Sequence, residues 1–365
     1  MALKCGIIGI ANVGKTTLFN SLSDARAESG KNAFTSTKSN IGIINVPDDR
    51  LSRLADLVKP AKITPATVEI VDIPGLTKGS SQGAGVGNQF LADIRNTDAL
   101  IHVLRCFDDE SLPHIDGTID PIRDMETINL ELQVKDMESI ERKIQKTEKI
   151  AKLGDKNAKH DLDVLMMYKE HLDSLKPART IKLDDHSKTV ISDLFLLSDK
   201  PVIYVCNVDE ASLARDNRYV QMVHDTLAEE KAEILVIAAR LEAEIAELDD
   251  PEDRRAFLAD AGLTEPGVNR LIRSAYNALN LISFLTAGPK EVRAWTIRKG
   301  LNAQQSAGAV HSDIERGFIR AEVIKYTDYI EQGSEHACKE TGKLSVEGKN
   351  YIVQDGDVIY FRFNV

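Results

Sequence analysis

Gly9-Ile10-Ala11-Asn12-Val13-Gly14-Lys15-Thr16 stands between an apolar, strand-like run, Cys5–Ile10, and a helical run, Thr17–Ser23. The spacing is Gly-x-x-x-x-Gly-Lys-[Ser/Thr], and a strand before it with a helix after it is the setting in which that spacing has a mechanism. The glycines let backbone N–H groups from Asn12, Val13, Gly14, Lys15, Thr16 and Thr17 close around phosphate oxygens, and the helix N-terminus adds its dipole. Lys15 reaches the β- and γ-phosphates and the Thr16 hydroxyl is a ligand for Mg²⁺. A chance glycine turn would not come flanked by these two elements. The stretch predicts a P-loop nucleoside triphosphatase.

Outward from it, short β-branched runs recur at Thr67–Asp72, Ala99–Cys106, Pro201–Cys206 and Ile234–Ala238, with helical stretches between them. That alternation predicts an α/β fold with a mostly parallel sheet. Asp72-Ile73-Pro74-Gly75 closes the second strand. Asp72 can hold Mg²⁺ through water, and the Gly75 N–H can sense a γ-phosphate and pass its loss to the glycine-rich loop Leu76–Asn88. After the fourth strand comes Asn207-Val208-Asp209-Glu210, where GTPases of this fold carry Asn-Lys-x-Asp. The Asp carboxylate normally accepts from guanine N1–H and the 2-amino group, whereas adenine presents an acceptor at N1. Glu210 moves that carboxylate by a methylene, and one lost charged hydrogen bond, worth ~1.5–3 kcal/mol, suffices to overturn a base preference. Asn207, Val208 and Glu210 therefore predict ATP as substrate; Asp209 as a slipped guanine reader is the alternative.

With 365 residues, 42% hydrophobic and 28% charged, the chain is long enough for two or three units of ordinary globular composition. No apolar run approaches the ~20 residues that cross a bilayer, so no membrane partner is expected. The first residues lead straight into the first strand without a targeting segment, and a cytoplasmic location is expected. A net charge of −11 argues against coating naked nucleic acid, DNA included. Cys5, Cys106, Cys206 and Cys338 lie far apart and read as buried thiols. Leu130, Val134, Met137, Ile140 and Ile144 keep helical spacing, Gly154-Asp155 offers a turn, and Leu162, Leu165, Leu172 and Leu175 resume the period, which predicts a helical hairpin inserted at about 126–198. Seven Lys/Arg between Arg142 and Lys159 face only Glu148 and Asp155. Such a run is either an RNA-facing arm or a solvated helix face. Beyond about residue 280, alternating runs at Val292–Thr296, Ala321–Ile324 and Val358–Phe363 predict a small mixed sheet.

Ras-like enzymes orient the attacking water with a Gln after Asp-x-x-Gly, but this chain has Leu76 there. Catalysis must draw on another group. Asn12 is a candidate ligand for K⁺ near the phosphates, where a cation would supply the charge of an arginine finger. His114, in the polar loop Asp108–Thr118, is the candidate imidazole, with a solvated surface histidine as the ordinary alternative.

Taken together, Cys5–Thr16, Asp72-Ile-Pro-Gly-Leu-Thr-Lys-Gly, Arg105-Cys-Phe, Asn207-x-x-Glu210, Gly317-Phe-Ile-Arg-Ala-Glu and Gly356-Asp-Val-Ile-Tyr-Phe-Arg-Phe closely resemble the YchF, or Obg-like ATPase, family over essentially the whole chain. The resemblance implies a nucleotide domain at 1–280 interrupted by an antiparallel coiled coil, and a ubiquitin-like, β-grasp TGS domain at 281–365. It implies ATP hydrolysis with Mg²⁺, stimulation by K⁺, and binding to the ribosome and its large subunit. It makes His114 the catalytic residue and puts a second Mg²⁺ hydroxyl on Ser36, with Thr35 and Thr37 beside it. Ala11 stands where the family usually has Pro, and a slightly looser phosphate loop is expected. A GTPase of ribosome assembly and an adenine-nucleotide-sensing binding protein are the competing readings.

Overall fold

The computed structural model describes residues 3–24, 40–75, 86–213, 215, 217–248 and 250–364. The chain divides into two units, Met1–Gly42 with Glu69–Leu271, and Ile43–Val68 with Ile272–Val365. Residues 43–68 join the C-terminal part of the chain in the second unit.

The strands are β1 (Lys4–Ile8), β2 (Asn40–Asn45), β3 (Ile63–Thr64), β4 (Thr67–Asp72), β5 (Ala99–Arg105), β6 (Val202–Asn207), β7 (Glu233–Ile237), β8 (Leu281–Ala287), β9 (Val292–Arg298), β10 (Phe318–Lys325), β11 (Leu344–Glu347) and β12 (Asp357–Phe363). A first sheet has the order β2-β4-β1-β5-β6-β7. Its strand β1 pairs in parallel with both β4 and β5, followed by β5 with β6 and β6 with β7. Every residue of β5 is buried, which is why these strands read as continuous apolar runs rather than alternating ones. All five strands expected here are present. The first ends at Ile8, two residues early, because the chain turns into the phosphate loop. β2, Asn-Ile-Gly-Ile-Ile-Asn, escaped notice because Asn and Gly dilute its β-branched signal.

Among the described residues, the first five α-helices are α1 (Lys15–Asp24), α2 (Asp49–Val58), α3 (Val86–Arg95), α4 (Pro121–Ala151) and α5 (Lys156–Asp173). The hairpin α4–α5 starts at Pro121, before the expected 126. Asp120 caps α4 by accepting from Ile122 and Arg123 N–H, and Pro121 fits the first turn, where an amide hydrogen is not needed. Gly154, at φ +93°, makes the turn, and Asp155 caps α5. Of the expected apolar stripe, Ile140 is fully buried but Leu130 and Val134 are 47% and 42% exposed. The inward face of α4 changes partner along its length. Met125 packs with Leu104, Tyr204 and Val223, whereas Ile140 packs with Val164, Leu165, Tyr168 and Leu172 of α5. At the changeover, buried Asp136 accepts from Leu197 N–H and Ser198 N–H, both at 2.7 Å, and from the Ser198 hydroxyl at 2.6 Å. Glu148–Lys152 pairs as its spacing predicts, but Lys135 turns to Glu138 instead of Glu131.

The second unit holds a mixed sheet of order β11-β10-β12-β8-β9-β3 around Phe284, Ile297, Val323 and Ile359. Its strand β3 is supplied from Ile63–Thr64, parallel to β9. Arg50 in α2 forms an ion pair with Asp355 at 2.7 Å, and Asp355 also accepts from Ser283 N–H.

Candidate nucleotide site

At the end of β1 the chain makes a tight loop, with Gly14 at φ +94° and Asn12 at φ +63°, and enters α1 at Lys15. Only 8% of Lys15 is exposed, and its ammonium donates to the Ile10 carbonyl at 2.5 Å. Burial lowers its pKa to about 8, against the opposing pull of Asp72. The Thr16 hydroxyl lies 3.4 Å from Asp72 Oδ2. Burial pushes the Asp72 carboxyl up, partly offset by Lys15 and Thr16. A Cβ on Gly75 would stand 2.7 Å from Lys15 Nζ and 3.3 Å from Ala11 N. The Asp-x-x-Gly turn thus meets the phosphate loop, and a side chain at this position would press on the Lys15 ammonium. Thr16, Asp72, Lys15 and Gly75 come together as their spacing predicts. A hydroxyl and a carboxylate converging beside a buried ammonium are hard oxygen donors of the kind Mg²⁺ takes, so the residues fit that ion. Thr17 and Thr16 are both solvent-exposed on the first turn of α1. Ser36, with Thr35 and Thr37, lies outside the described residues, as does the loop from Leu76 to Gly85.

On the opposite side of the phosphate loop, Asn207 ends β6 with 5% exposure. Its amide nitrogen donates to the Val13 carbonyl at 2.9 Å and its amide oxygen accepts from Ala239 N–H at 3.0 Å. One side chain fastens the phosphate loop to the turn after β7. A Cβ on Gly14 would collide with that amide. Val208 is buried and its N–H donates to the Ile237 carbonyl. Asp209 accepts from Ser212 N–H at 2.8 Å and so caps the short turn Glu210–Leu213. Glu210 is exposed at the start of that turn. Of the two acids, it is Asp209 whose carboxylate is committed to the loop's own backbone.

After β5, the loop that carries His114 is shaped by Arg105, which is 1% exposed. Its guanidinium donates to the Phe107, Leu112 and Asp109 carbonyls at 3.2, 2.8 and 3.2 Å. Asn12 Nδ2 reaches the Pro113 carbonyl at 3.4 Å, so the backbone just before His114 lies against the phosphate loop. The His114 side chain is only 3% exposed, not the solvated histidine of the alternative reading, and Nε2 is 2.9 Å from Asp124 Oδ2. His114, Asp116 and Asp124 bring ligand-type atoms within 4.8 Å of one another. The cation there is Arg123, whose guanidinium lies 3.2 Å from Asp124 and 3.6 Å from Asp116. Sequence reasoning missed Arg105, Asp124 and Ala239 as parts of the site. Arg105 at the end of an apolar strand was the one available signal, since a buried guanidinium needs acceptors nearby.

A phosphate loop on a parallel sheet, an Asp-x-x-Gly turn against its lysine, and an asparagine tying the base loop to it define a P-loop nucleoside triphosphatase with a GTPase-type core. A family model described as 50S ribosome-binding GTPase matches residues 4–146, and one described as YchF-GTPase_C, a protein of unknown function, matches residues 281–364. The ribosome-binding ATPase YchF of Bacillus subtilis is 47% identical over 367 residues, and its Haemophilus influenzae counterpart 48% over 365, each across 100% of both chains. The solved structure of the Schizosaccharomyces pombe YchF GTPase superposes with a TM-score of 0.89 at 33% identity, covering 99% of this chain and 97% of that one. The chain belongs to the YchF family.

Proposed function

We propose that this protein is a cytoplasmic, ribosome-binding ATPase that hydrolyses ATP to ADP and phosphate and works as a nucleotide switch on the ribosome, chiefly its large subunit. The names of the bacterial relatives support ribosome and ATP. The S. pombe structure is named for GTP, so the choice of base rests on the site. The observation that carries it is the base loop. Asn207 is tied to Val13 and Ala239, Asp209 is spent on Ser212, and the side chain left for the base is Glu210, one methylene longer than the guanine-reading Asp. Calorimetric titration with ATP and GTP side by side tests this; GTP binding a hundredfold more tightly would return the protein to the GTPases.

In this reading the backbone amides of Asn12–Thr17 and the Lys15 ammonium grip the triphosphate. Thr16 and Asp72, with Ser36, would hold Mg²⁺, which when bound would neutralise charge on the triphosphate. Gly75 N–H senses the γ-phosphate and hands its loss to the loop beyond. His114 is the residue that serves the attacking water once its ring is brought to it, in the place left open by Leu76. Asn12, exposed beside the Pro113 carbonyl, supplies an oxygen for K⁺, and turnover in K⁺ should exceed that in Na⁺ at equal ionic strength. Functionally we divide the chain into a nucleotide domain at 1–280, with its hairpin, and a TGS domain at 281–365, which the C-terminal family match at 281–364 supports. The basic side of the hairpin is the arm offered to rRNA. No helix among the described residues is long and apolar enough to cross a membrane.

A further inference from the structure

We propose that Asp124 is a positioning residue which holds the His114 ring away from the nucleotide, so that release of this clasp by the first turn of α4 precedes hydrolysis. The proposal rests on the assignment of His114 made above and concerns its control.

The loop between β5 and α4 is anchored at two points before the histidine. Arg105 holds the carbonyls of Phe107, Asp109 and Leu112, and Asn12 meets Pro113. The backbone is thereby delivered to the phosphate loop, while the imidazole is bound to Asp124 of α4. Nδ1 accepts from Asp116 N–H at 3.1 Å, and a second donor, Arg123 Nη2, stands 3.4 Å from it. Two donors facing Nδ1 leave it without a proton, which puts the ring proton on Nε2, donated to Asp124 Oδ2 at 2.9 Å. Asp124 is itself steadied by Arg123, whose Nη2 also donates to the Thr118 carbonyl at 2.6 Å. Both ring nitrogens are thus occupied, and neither offers a lone pair to a water. A general base must come within hydrogen-bond reach of the proton it takes. For His114 that requires the ring to leave Asp124, and Asp124 sits in the first turn of a 31-residue helix. Any ligand that shifts the start of α4 acts directly on this contact.

The full-length protein as wild type, Asp124→Ala, Asp124→Asn, His114→Ala and the His114→Ala/Asp124→Ala double variant separates the possibilities. Two quantities are read: kcat and KM for Mg·ATP, and the rate at which diethyl pyrocarbonate modifies His114, followed by peptide mass spectrometry. The clasp predicts that Asp124→Ala raises kcat at least threefold with KM within twofold and speeds His114 modification at least tenfold. The gain in kcat should vanish in the double variant. Asp124→Asn keeps the shape and an acceptor oxygen and should fall between, which guards against a folding defect in the alanine variant. Unchanged modification of His114 would overturn the clasp. A faster-reacting ring with lower kcat in both Asp124 variants would also overturn it, since Asp124 would then be supporting the ring in catalysis. Wild-type kcat in His114→Ala would instead overturn the parent assignment, and with it any control of rate through Asp124.

Discussion

Lys15 illustrates how one side chain carries both affinity and its pH dependence. Burial holds its pKa near 8, so the free site loses the positive charge above that pH. A bound triphosphate facing the ammonium favours the charged form and raises the pKa again. Nucleotide affinity is therefore full below pH 8 and falls as pH rises through it, by about tenfold at pH 9, one unit above the free-site value. Calorimetry at pH 7.5 and 9.0 checks this, and Lys15→Arg, with a cation that does not titrate in this range, should flatten the curve. Glu210→Asp brings the carboxylate back by one methylene. It should shift the ATP-to-GTP preference toward GTP by roughly ten- to hundredfold in competition binding, the worth of one charged hydrogen bond. The thiols bear no comparable role: Cys5 is pushed up to about 12 by burial, and Cys106 is raised beside Cys206.

Among elements, β5 carries a cost that appears only on acidification. His102 is 1% exposed, and burial, together with Arg179 and Lys15, lowers its pKa to about 3. The folded chain keeps this ring neutral while the unfolded chain protonates near pH 6.5. The stability it contributes is complete above pH 6.5 and declines by up to about 1.4 kcal/mol per pH unit as pH falls toward 3. Urea midpoints at pH 7 and 5 should converge in His102→Leu relative to the wild type. Midway along α4, Asp136→Ala strands two buried N–H groups and a hydroxyl and should cost about 2–4 kcal/mol by urea unfolding. The parallel strands were legible because burial on both faces writes them as unbroken apolar runs, and the phosphate loop because its glycines and lysine have fixed spacing. β2 was not, with Asn and Gly inside it, nor were the clasp and the Asn207 tie, which join residues 10 and 194 positions apart. Contacts of that kind follow from how strands and loops meet in space, and no local pattern records them.

For the molecule as a whole, the net charge of −11 and the basic run on the hairpin have separate consequences. Lys146, Lys149 and Lys156 are exposed. Reversing all three to Glu should weaken ribosome co-sedimentation while leaving ATP affinity within twofold, and should flatten the salt dependence of binding by roughly two log units per log unit of salt. Unaltered co-sedimentation would mean that the run is a solvated face. The hairpin is also a mechanical part. At ~1.5 Å per residue, α4 extends roughly 46 Å, and the three hydrogen bonds to Asp136 grip it about halfway along. A push on the tip therefore meets a fulcrum in mid-shaft rather than a hinge at the base, and with arms of equal length a sweep outside is returned, reversed in direction and about equal in size, where α4 begins.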